Sequence, residues 1–432
     1  MNLHSDSPEK PSQRALFVAT SVPENEQRSA SGFHRRQRLL IDAIKSVCTD
    51  IEVLLYVLPG PEATSETTRQ SIQERLCRLW EGRFTVTLCE REKYSEGSTY
   101  WRQFFEPALS FFKQPDYATQ AGERQVAALN ACLERKPDFI FVHRLLSVPP
   151  VLLTREDLPP VFMDMDDVEH VAFIRSVAQP PMWPSKRLEY LRIPALMYGE
   201  RQAIRRCAAT FVCSETDRLK LQQLYSTRRV VAIPNAIAAK QQSDTLTDAR
   251  TLLLLGDYSY APNHAGAEFF IDKVWPRVIA AVPDARITIA GLRSELLRHA
   301  SAPPPGINFP GFVTDLDAAY AAARIVVCPI LSGGGTRVKI MEAAAYGKPI
   351  VSTTIGAEGI QLENEHEILL RDSPERFAEG CIQLLRDHAA AATMGKRAAQ
   401  AIQARYERSH VVAKLADVLQ NPSRASRSGK RP

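Results

Sequence analysis

Hydrophobic residues along this chain gather into short runs, separated by longer stretches in which they return every three or four positions. The short runs are rich in Val, Ile, Leu and Phe and predict strands. In the first half they are ALFVAT (15–20), IEVLLYV (51–57), FTVTLC (84–89), FIFVH (139–143), PVFMD (160–164), TFVC (210–213) and VVAIP (230–234). Amphipathic helices fill the intervals: HRRQRLLIDAIKSV, SIQERLCRLW, QVAALNACLERK and the long KRLEYLRIPALMYGERQAIRR, which Pro194 is expected to kink. The stretch AIAAKQQSDTLTDA (236–249) has few large apolar residues, follows the turn-forming Pro234-Asn235, and reads as a linker. The alternation then restarts with TLLLLG, an amphipathic helix from about 265 to 281, ARITIAG, INFPG, RIVVCP, KPIVST and EILL, followed by helices to about 419. Strand cores such as LLLL and IVV are apolar without alternation, as expected of parallel strands covered on both faces. The pattern predicts an α/β fold of two doubly wound domains, 15–238 and 239–420. Residues 1–14 read as a disordered lead-in and 421–432 as a disordered basic tail.

Composition agrees with that division. A chain of 432 residues exceeds one ordinary core. No stretch reaches the roughly 18 uninterrupted apolar residues that cross a bilayer, and MNLHSDSPEKPSQR lacks the apolar centre of a secretory signal. Eight cysteines are scattered without any C-x-x-C pair, which predicts a reduced, cytoplasmic protein and no zinc site. Net charge is +5, part of it in the tail. The clusters HRRQR (34–38) and RQAIRR (201–206) would suit an anionic membrane surface or phosphorylated substrates, and equally a solvated helix face. Peripheral contact with the inner membrane is therefore an open expectation. No aromatics interleave with these cations, so nucleic acid is not an expected partner.

The densest chemistry lies in SGGGTRVKIMEAAAYGKPIV (332–351). It follows the buried strand RIVVCP, at the strand end where open α/β sheets bind ligands. Gly333, Gly334 and Gly335 let the backbone approach a ligand closely, and Thr336 and the following amides open a helix that favours anions. Arg337, placed in the first helical turn, conflicts with the helix dipole unless an anion sits there too. Lys339 and Glu342 are three apart and share a face. Two cations for phosphates and a carboxylate for a vicinal diol describe a site for a nucleoside diphosphate. The spacing is neither GxxxxGK[ST] nor GxGxxG.

From about Val230 to the C-terminus the sequence resembles the donor-sugar domain of the group 1 glycosyltransferases, glycosyltransferase family 4, which have the GT-B fold. The matching pieces are IPNAI (233–237), LLLLGDYSYAPN (252–263), ARITIAG (285–291), INFPGFVTDL (307–316) and the block 333–360. The resemblance implies two Rossmann-like domains facing a central cleft, and retaining transfer of a sugar from a nucleoside-diphosphate donor to a hydroxyl acceptor. It implies no metal or other cofactor. Glu342 falls on the second glutamate of the family's E-x7-E motif and is expected to hold the ribose hydroxyls; the first glutamate falls on Gly334 and is absent. Relatives carry an Arg and a Lys after the domain's first strand, where this chain has GDYSYAPN, so Arg337 and Lys339 are expected to supply that charge. Tyr258 and Asn263 are expected to line the same cleft, and Phe312 and Val313 to hold the base.

The first half matches less closely. Gly32, in SGFHRRQRLL, stands where the family's first loop approaches the sugar or diphosphate. His143, in PDFIFVHR, falls on the second histidine of the family's D-x-V-H-x-H pattern. MDMDDVEH (163–170) spells D-x-D at Asp164 and Asp166, the metal signature of the other large glycosyltransferase fold. Capping of the next helix by Asp166 or Asp167 is the favoured reading over metal binding, and acceptor contact by Asp164, Asp166 or Asp167 stays open. The family's acceptors, saccharides or lipid-linked sugars, suggest bacterial polysaccharide or glycolipid biosynthesis. The rival readings are a nucleotide-sugar epimerase or hydrolase and a non-catalytic nucleotide-sugar-binding scaffold.

Overall fold

The computed structural model describes residues 13–25, 32–93, 101–179, 183–238 and 246–422. Most of the expected lead-in, the tail from 423 and the centre of the expected linker lie outside the described residues. The chain divides into two compact units, the first running to Ile233 and resuming at Val412, the second spanning Pro234–Val411. The expected boundary after 238 thus moves back to 233, and local bonds explain why. Asn235 donates to Thr336 Oγ1 at 2.7 Å and the Ile237 amide to Tyr406 O at 3.1 Å, which ties 234–238 to the second unit. Lys414 donates to Ala232 O at 2.8 Å, which returns the end of the last helix, Arg408–Gln420, to the first.

The first unit holds a seven-stranded parallel sheet of β1 (Arg14–Ala19), β2 (Asp50–Val57), β3 (Thr85–Glu90), β4 (Phe139–His143), β5 (Val161–Asp166), β6 (Ala209–Val212) and β7 (Val230–Ala232). Their order is β3-β2-β1-β4-β5-β6-β7. The second unit holds six parallel strands, β8 (Thr251–Leu255), β9 (Arg286–Ala290), β10 (Ile307–Gly311), β11 (Ile325–Cys328), β12 (Ile350–Ser352) and β13 (Leu369–Leu370), in the order β10-β9-β8-β11-β12-β13. Every strand read from the sequence is present. Leu16, Phe17 and Val18 are all buried although they alternate between sheet faces, because helices cover both.

Three local departures have physical causes. The helix expected over about 265–281 is instead α-helical at Ala261–Phe269, widens into a π turn at Phe270–Val274, and resumes at Trp275–Ala281. Pro276 lacks an N–H, and a wider turn accommodates that missing bond. Pro194 does not kink one long helix. A 3-10 helix, Pro184–Arg192, ends there, and Pro194 sits in the first turn of a fresh α-helix, Ile193–Arg206, where its missing donor costs nothing. The helix Arg102–Leu109 escaped prediction because its apolar residues, Phe104 inside and Phe105 outside, show no single face.

Candidate active site

In each sheet the strand order reverses once, between β1 and β4 in the first unit and between β8 and β11 in the second. Ligands of doubly wound folds bind outside the carboxyl ends of the strands at that point. Most of the sequence candidates gather at these two places, each within its own unit; Phe312 and Val313 instead follow the edge strand β10.

In the second unit, the chain leaves β8 through residues 256–260 into the helix Ala261–Phe269, here α1, and leaves β11 through the glycine loop into α2 (Val338–Ala345). Side chains join the two exits. Lys339 Nζ donates to Asn263 Oδ1 at 2.9 Å, and Asn263 Nδ2 donates to Asp257 O at 2.9 Å. Burial holds the Lys339 ammonium below its ordinary pKa; the Cys328 thiol opposes the shift and Arg337 adds to it. Gly333 and Gly335 have φ of 102° and 70°, left-handed backbone that a side chain would strain. Glu342 lies on α2 one turn beyond Lys339 and is half-buried. Thr336 Oγ1 is held by the buried Asn235, which the sequence offers as a turn former and as part of the matching piece IPNAI without assigning it to the site. Its place in IPNAI, just after a strand, was the available signal.

Two donor-side expectations need correction. Arg337 is not in the first helical turn but at the N-cap of α2. Its guanidinium folds back, donating to the carbonyls of Gly334, Gly335 (3.1 Å) and Ser332 (3.3 Å). Arg337 thereby shapes the loop: both Nη groups are turned to carbonyl oxygens, while Nε is buried without a hydrogen-bond partner. Tyr258 does not line a cleft. It is buried, and its hydroxyl donates to Leu254 O at 3.2 Å. Beyond the end of β10, Phe312 is 37% exposed and Val313 half-buried, so Phe312 is not ordinary core.

In the first unit, Gly32 is the exposed first residue of the helix Gly32–Val47 that follows β1. From this helix Gln37 Nε2 donates to Ser21 O at 2.7 Å and meets His143 Nδ1 at 3.2 Å. An amide that donates to a carbonyl must also donate to the ring, so His143 Nδ1 accepts and Nε2 carries the proton. That Nε2 is buried without a hydrogen-bond partner, 3.8 Å from Asp164 Oδ2. Burial lowers the His143 pKa to about 3; Asp166 opposes this, while Arg144, Arg36 and His34 reinforce it. The imidazole is therefore neutral at physiological pH.

Asp164 is committed elsewhere. Arg36 grips it with Nε at 2.9 Å from Oδ2 and Nη2 at 2.5 Å from Oδ1, both side chains fully buried, while Arg36 Nη1 donates to Ile233 O at 3.0 Å. Burial pushes the Asp164 carboxyl up, to about 6, against the pull of Arg36, so it stays ionised at neutral pH. A carboxylate closed by an arginine reaches neither metal nor acceptor, and Asp164 leaves both expectations. Asp166, at φ of 60°, accepts from Cys213 Sγ at 3.1 Å; burial raises its pKa, but Arg144 and Arg36 outweigh that and hold it low. Asp167 and Glu169 each lie 3.9 Å from the Arg144 guanidinium, which sits 5.4 Å over the Phe33 ring. Burial lifts the Glu169 carboxyl to about 7 against Arg144, with Asp167, Glu200 and Asp166 adding to the rise.

The N-cap position itself falls on neither Asp166 nor Asp167. Val168, which cannot cap, occupies the N-cap of the helix Glu169–Ala178. Glu200 meets the His170 amide at 2.9 Å and the His170 ring at 2.7 Å, and accepts from Tyr225 at 2.6 Å. The HRRQR cluster is largely spent inside the fold: Arg36 on Asp164, Arg38 on Asp42 and Glu81, both at 3.0 Å. A further group with metal-ligand spacing, Glu268, Asp272 and His299, is already balanced by Arg298, 2.7 Å from Glu268 and 2.5 Å from Asp272.

Residues 249–387, which include the β8 exit and the whole glycine loop, match the family model described as glycosyl transferases group 1. Most of the second unit is thus similar to the group 1 glycosyl transferases. A 44.6 kDa protein in the cps region of Klebsiella pneumoniae is 30% identical over 140 residues, 30% of this chain and 36% of that protein. A GDP-mannose-dependent monoacylated alpha-(1-6)-phosphatidylinositol monomannoside mannosyltransferase of Corynebacterium glutamicum is 29% identical over 164 residues, 35% of this chain and 43% of that protein. The chain thus spans well under half the length of these curated relatives. Among solved structures, sucrose-phosphate synthase from Thermosynechococcus elongatus matches with a TM-score of 0.67 at 15% identity, covering 96% of this chain and 100% of that one. That likeness extends to both units and gives the chain the GT-B type of fold. No helix among the described residues is long and apolar enough to cross a membrane.

Proposed function

We propose that the protein is a retaining, metal-independent glycosyltransferase of the family 4 kind. It moves a sugar from a nucleoside-diphosphate donor to a hydroxyl acceptor in bacterial polysaccharide or glycolipid biosynthesis. The observation that carries this reading is the Lys339–Asn263 contact across the β8/β11 switch point, with left-handed glycines on one side and Glu342 one helical turn beyond, inside the matched group 1 stretch. Lys339 and the loop amides would stabilise the charge that develops on the departing diphosphate, and Glu342 would anchor the ribose. The mannosyltransferase relative, whose name specifies GDP-mannose, supports a nucleotide-sugar donor without fixing the base. In this mechanism the leaving phosphate takes the acceptor proton on the same face, so no carboxylate base is needed. The neutral, enclosed His143 and the arginine-bound Asp164 fit a first unit in which neither of these two residues acts as the base.

Calorimetric titration with UDP, GDP and their sugars, followed by transfer assays and an NMR reading of the product anomer, tests the proposal. Wild type should bind at least one nucleotide sugar and give a product with retained configuration, and Glu342→Ala should lose both binding and turnover. Binding without turnover over a broad acceptor panel would indicate the scaffold. Sugar release at full rate without an acceptor would indicate the hydrolase.

A further inference from the structure

The hydroxyl of Thr336 is satisfied on one side only. Thr336 is half-buried in the glycine loop, one residue before the N-cap of α2. Asn235 Nδ2 donates to its oxygen at 2.7 Å, and its own O–H meets no acceptor among the described residues. A hydroxyl has one proton and two lone pairs. An N–H aimed at one lone pair turns the proton away from the amide, so Asn235 sets the hydroxyl as a donor toward the opposite side. A bond accepted on one side also strengthens the bond donated on the other.

The surroundings offer that proton little to bind. The carbonyls of Ser332, Gly334 and Gly335 accept from the Arg337 guanidinium, and the Arg337 carbonyl accepts from the Ile340 amide at 2.9 Å. The first turn of α2 has no side-chain cap, so its amides are further donors without a partner in the helix. The Lys339 ammonium adds a cation beside them. The loop exit thus gathers donors and lacks acceptors, which calls for a ligand rich in oxygen atoms that only accept. Phosphate oxygens answer that description. Asn235 is presented rigidly: it is buried, and two residues on, the Ile237 amide donates to Tyr406 O and Ile237 O accepts from the Arg408 amide, both at 3.1 Å.

We infer that Asn235 is a positioning residue of the donor site, whose amide turns the Thr336 hydroxyl proton toward a phosphate oxygen of the bound nucleoside diphosphate. The inference rests on the nucleotide-sugar reading of the glycine loop and adds to it one neutral donor and the residue that orients it.

Calorimetric titration with UDP and GDP, and with uridine and guanosine in parallel, tests it on Asn235→Ala, Thr336→Val, the double variant and Thr336→Ser. Thr336→Val removes the hydroxyl at nearly constant shape and should weaken diphosphate binding about tenfold to a hundredfold. Thr336→Ser, which keeps the hydroxyl, should retain most of the affinity. Asn235→Ala lets the hydroxyl rotate and should cost about three- to tenfold. In the Thr336→Val background the same change should cost nothing further, because the group it acts through is gone. Nucleoside affinity should be unchanged throughout. A Thr336→Val protein with wild-type diphosphate affinity overturns the inference. So do losses from Asn235→Ala that are equal in both backgrounds, or equal for diphosphate and nucleoside, since those mark a purely structural residue. Wild type that binds neither diphosphate overturns the nucleotide-sugar reading and the inference with it, whereas wild-type binding with an unaffected set of variants overturns the inference alone.

Discussion

The ammonium of Lys339, which follows β11, is held 2.9 Å from the side-chain oxygen of Asn263, which follows β8. This contact spans the reversal point of the second sheet, and Asn263 is itself fixed by Asp257 O. Lys339 is thus preorganised in a partly buried position where its charge is under-solvated, and an incoming pyrophosphate would supply the missing counter-charge. Lys339→Met should weaken nucleoside-diphosphate binding by about 1.5–3 kcal/mol, the range for a hydrogen bond to a charged group. Asn263→Ala should weaken it less, because the ammonium remains but loses its tether. Affinity for the uncharged nucleoside should be unchanged in both. Calorimetry with diphosphate and nucleoside in parallel checks this, and equal losses for both ligands would assign the pair to folding.

The glycine loop makes its own prediction. At Gly333 a methyl group would lie 2.9 Å from Arg337 Nη2 and 3.1 Å from the Tyr260 hydroxyl, on backbone with φ of 102°. Gly333→Ala should therefore destabilise the second unit by about 1–3 kcal/mol through backbone strain. It should also push Arg337 off the loop carbonyls, reducing diphosphate affinity. Denaturant unfolding and titration of the same variant read the two effects separately. An alanine variant with wild-type stability would show that the loop is not held in this shape.

In the first unit, Arg36 and Asp164 form a buried pair whose charges have no access to water. Removing one partner leaves the other unpaired, at a cost of about 3–5 kcal/mol, whereas replacing both with apolar residues of similar volume often restores stability. Asp164→Leu and Arg36→Met should each destabilise strongly, and the double variant should recover much of the loss. Urea midpoints for the four proteins check the cycle. Additive losses would mean that the two side chains stabilise the fold independently.

How much of this was legible in the sequence follows from what each feature needs. Strands covered on both faces write themselves as unbroken apolar runs, so LLLL and IVVC were placed correctly. The glycine loop was equally plain, because left-handed backbone at Gly333 and Gly335 requires that residue type. The partners were not legible. Arg36 and Asp164 are 128 residues apart, and Asn235 and Thr336 are 101 apart, so only the strand order brings each pair together. Arg337 and Tyr258 misled for a related reason: a cation or a phenol in a loop reads as a ligand contact until the nearby carbonyls that absorb its donors are located. Among the acids of MDMDDVEH, Asp164 misled because Arg36 closes it, and the His170 amide takes its partner from Glu200, 30 residues further along the chain.

His143 sets the last prediction. Its pKa is about 3 in the folded protein, lowered first by burial, against about 6.5 in an unfolded chain. Between those values the unfolded state binds a proton that the native state refuses, so stability from this residue is complete above pH 6.5 and falls as the solution is acidified. Asp164 and Glu169 act in the opposite sense, since folding raises their pKa values to about 6 and about 7 and the native state then holds the extra protons. The total pH dependence mixes these effects, and a comparison of variant with wild type isolates one of them. At pH 7.5 His143→Phe should cost about 1–3 kcal/mol, because Gln37 loses its ring partner in a buried setting. On moving to pH 5 the wild type should lose ground relative to the variant by about 1.4 kcal/mol for each pH unit below 6.5. Urea unfolding of both proteins at pH 7.5, 6.5 and 5 measures the difference. A gap that stays constant over this range would mean that His143 takes up its proton in the native state and is not held neutral by its enclosure.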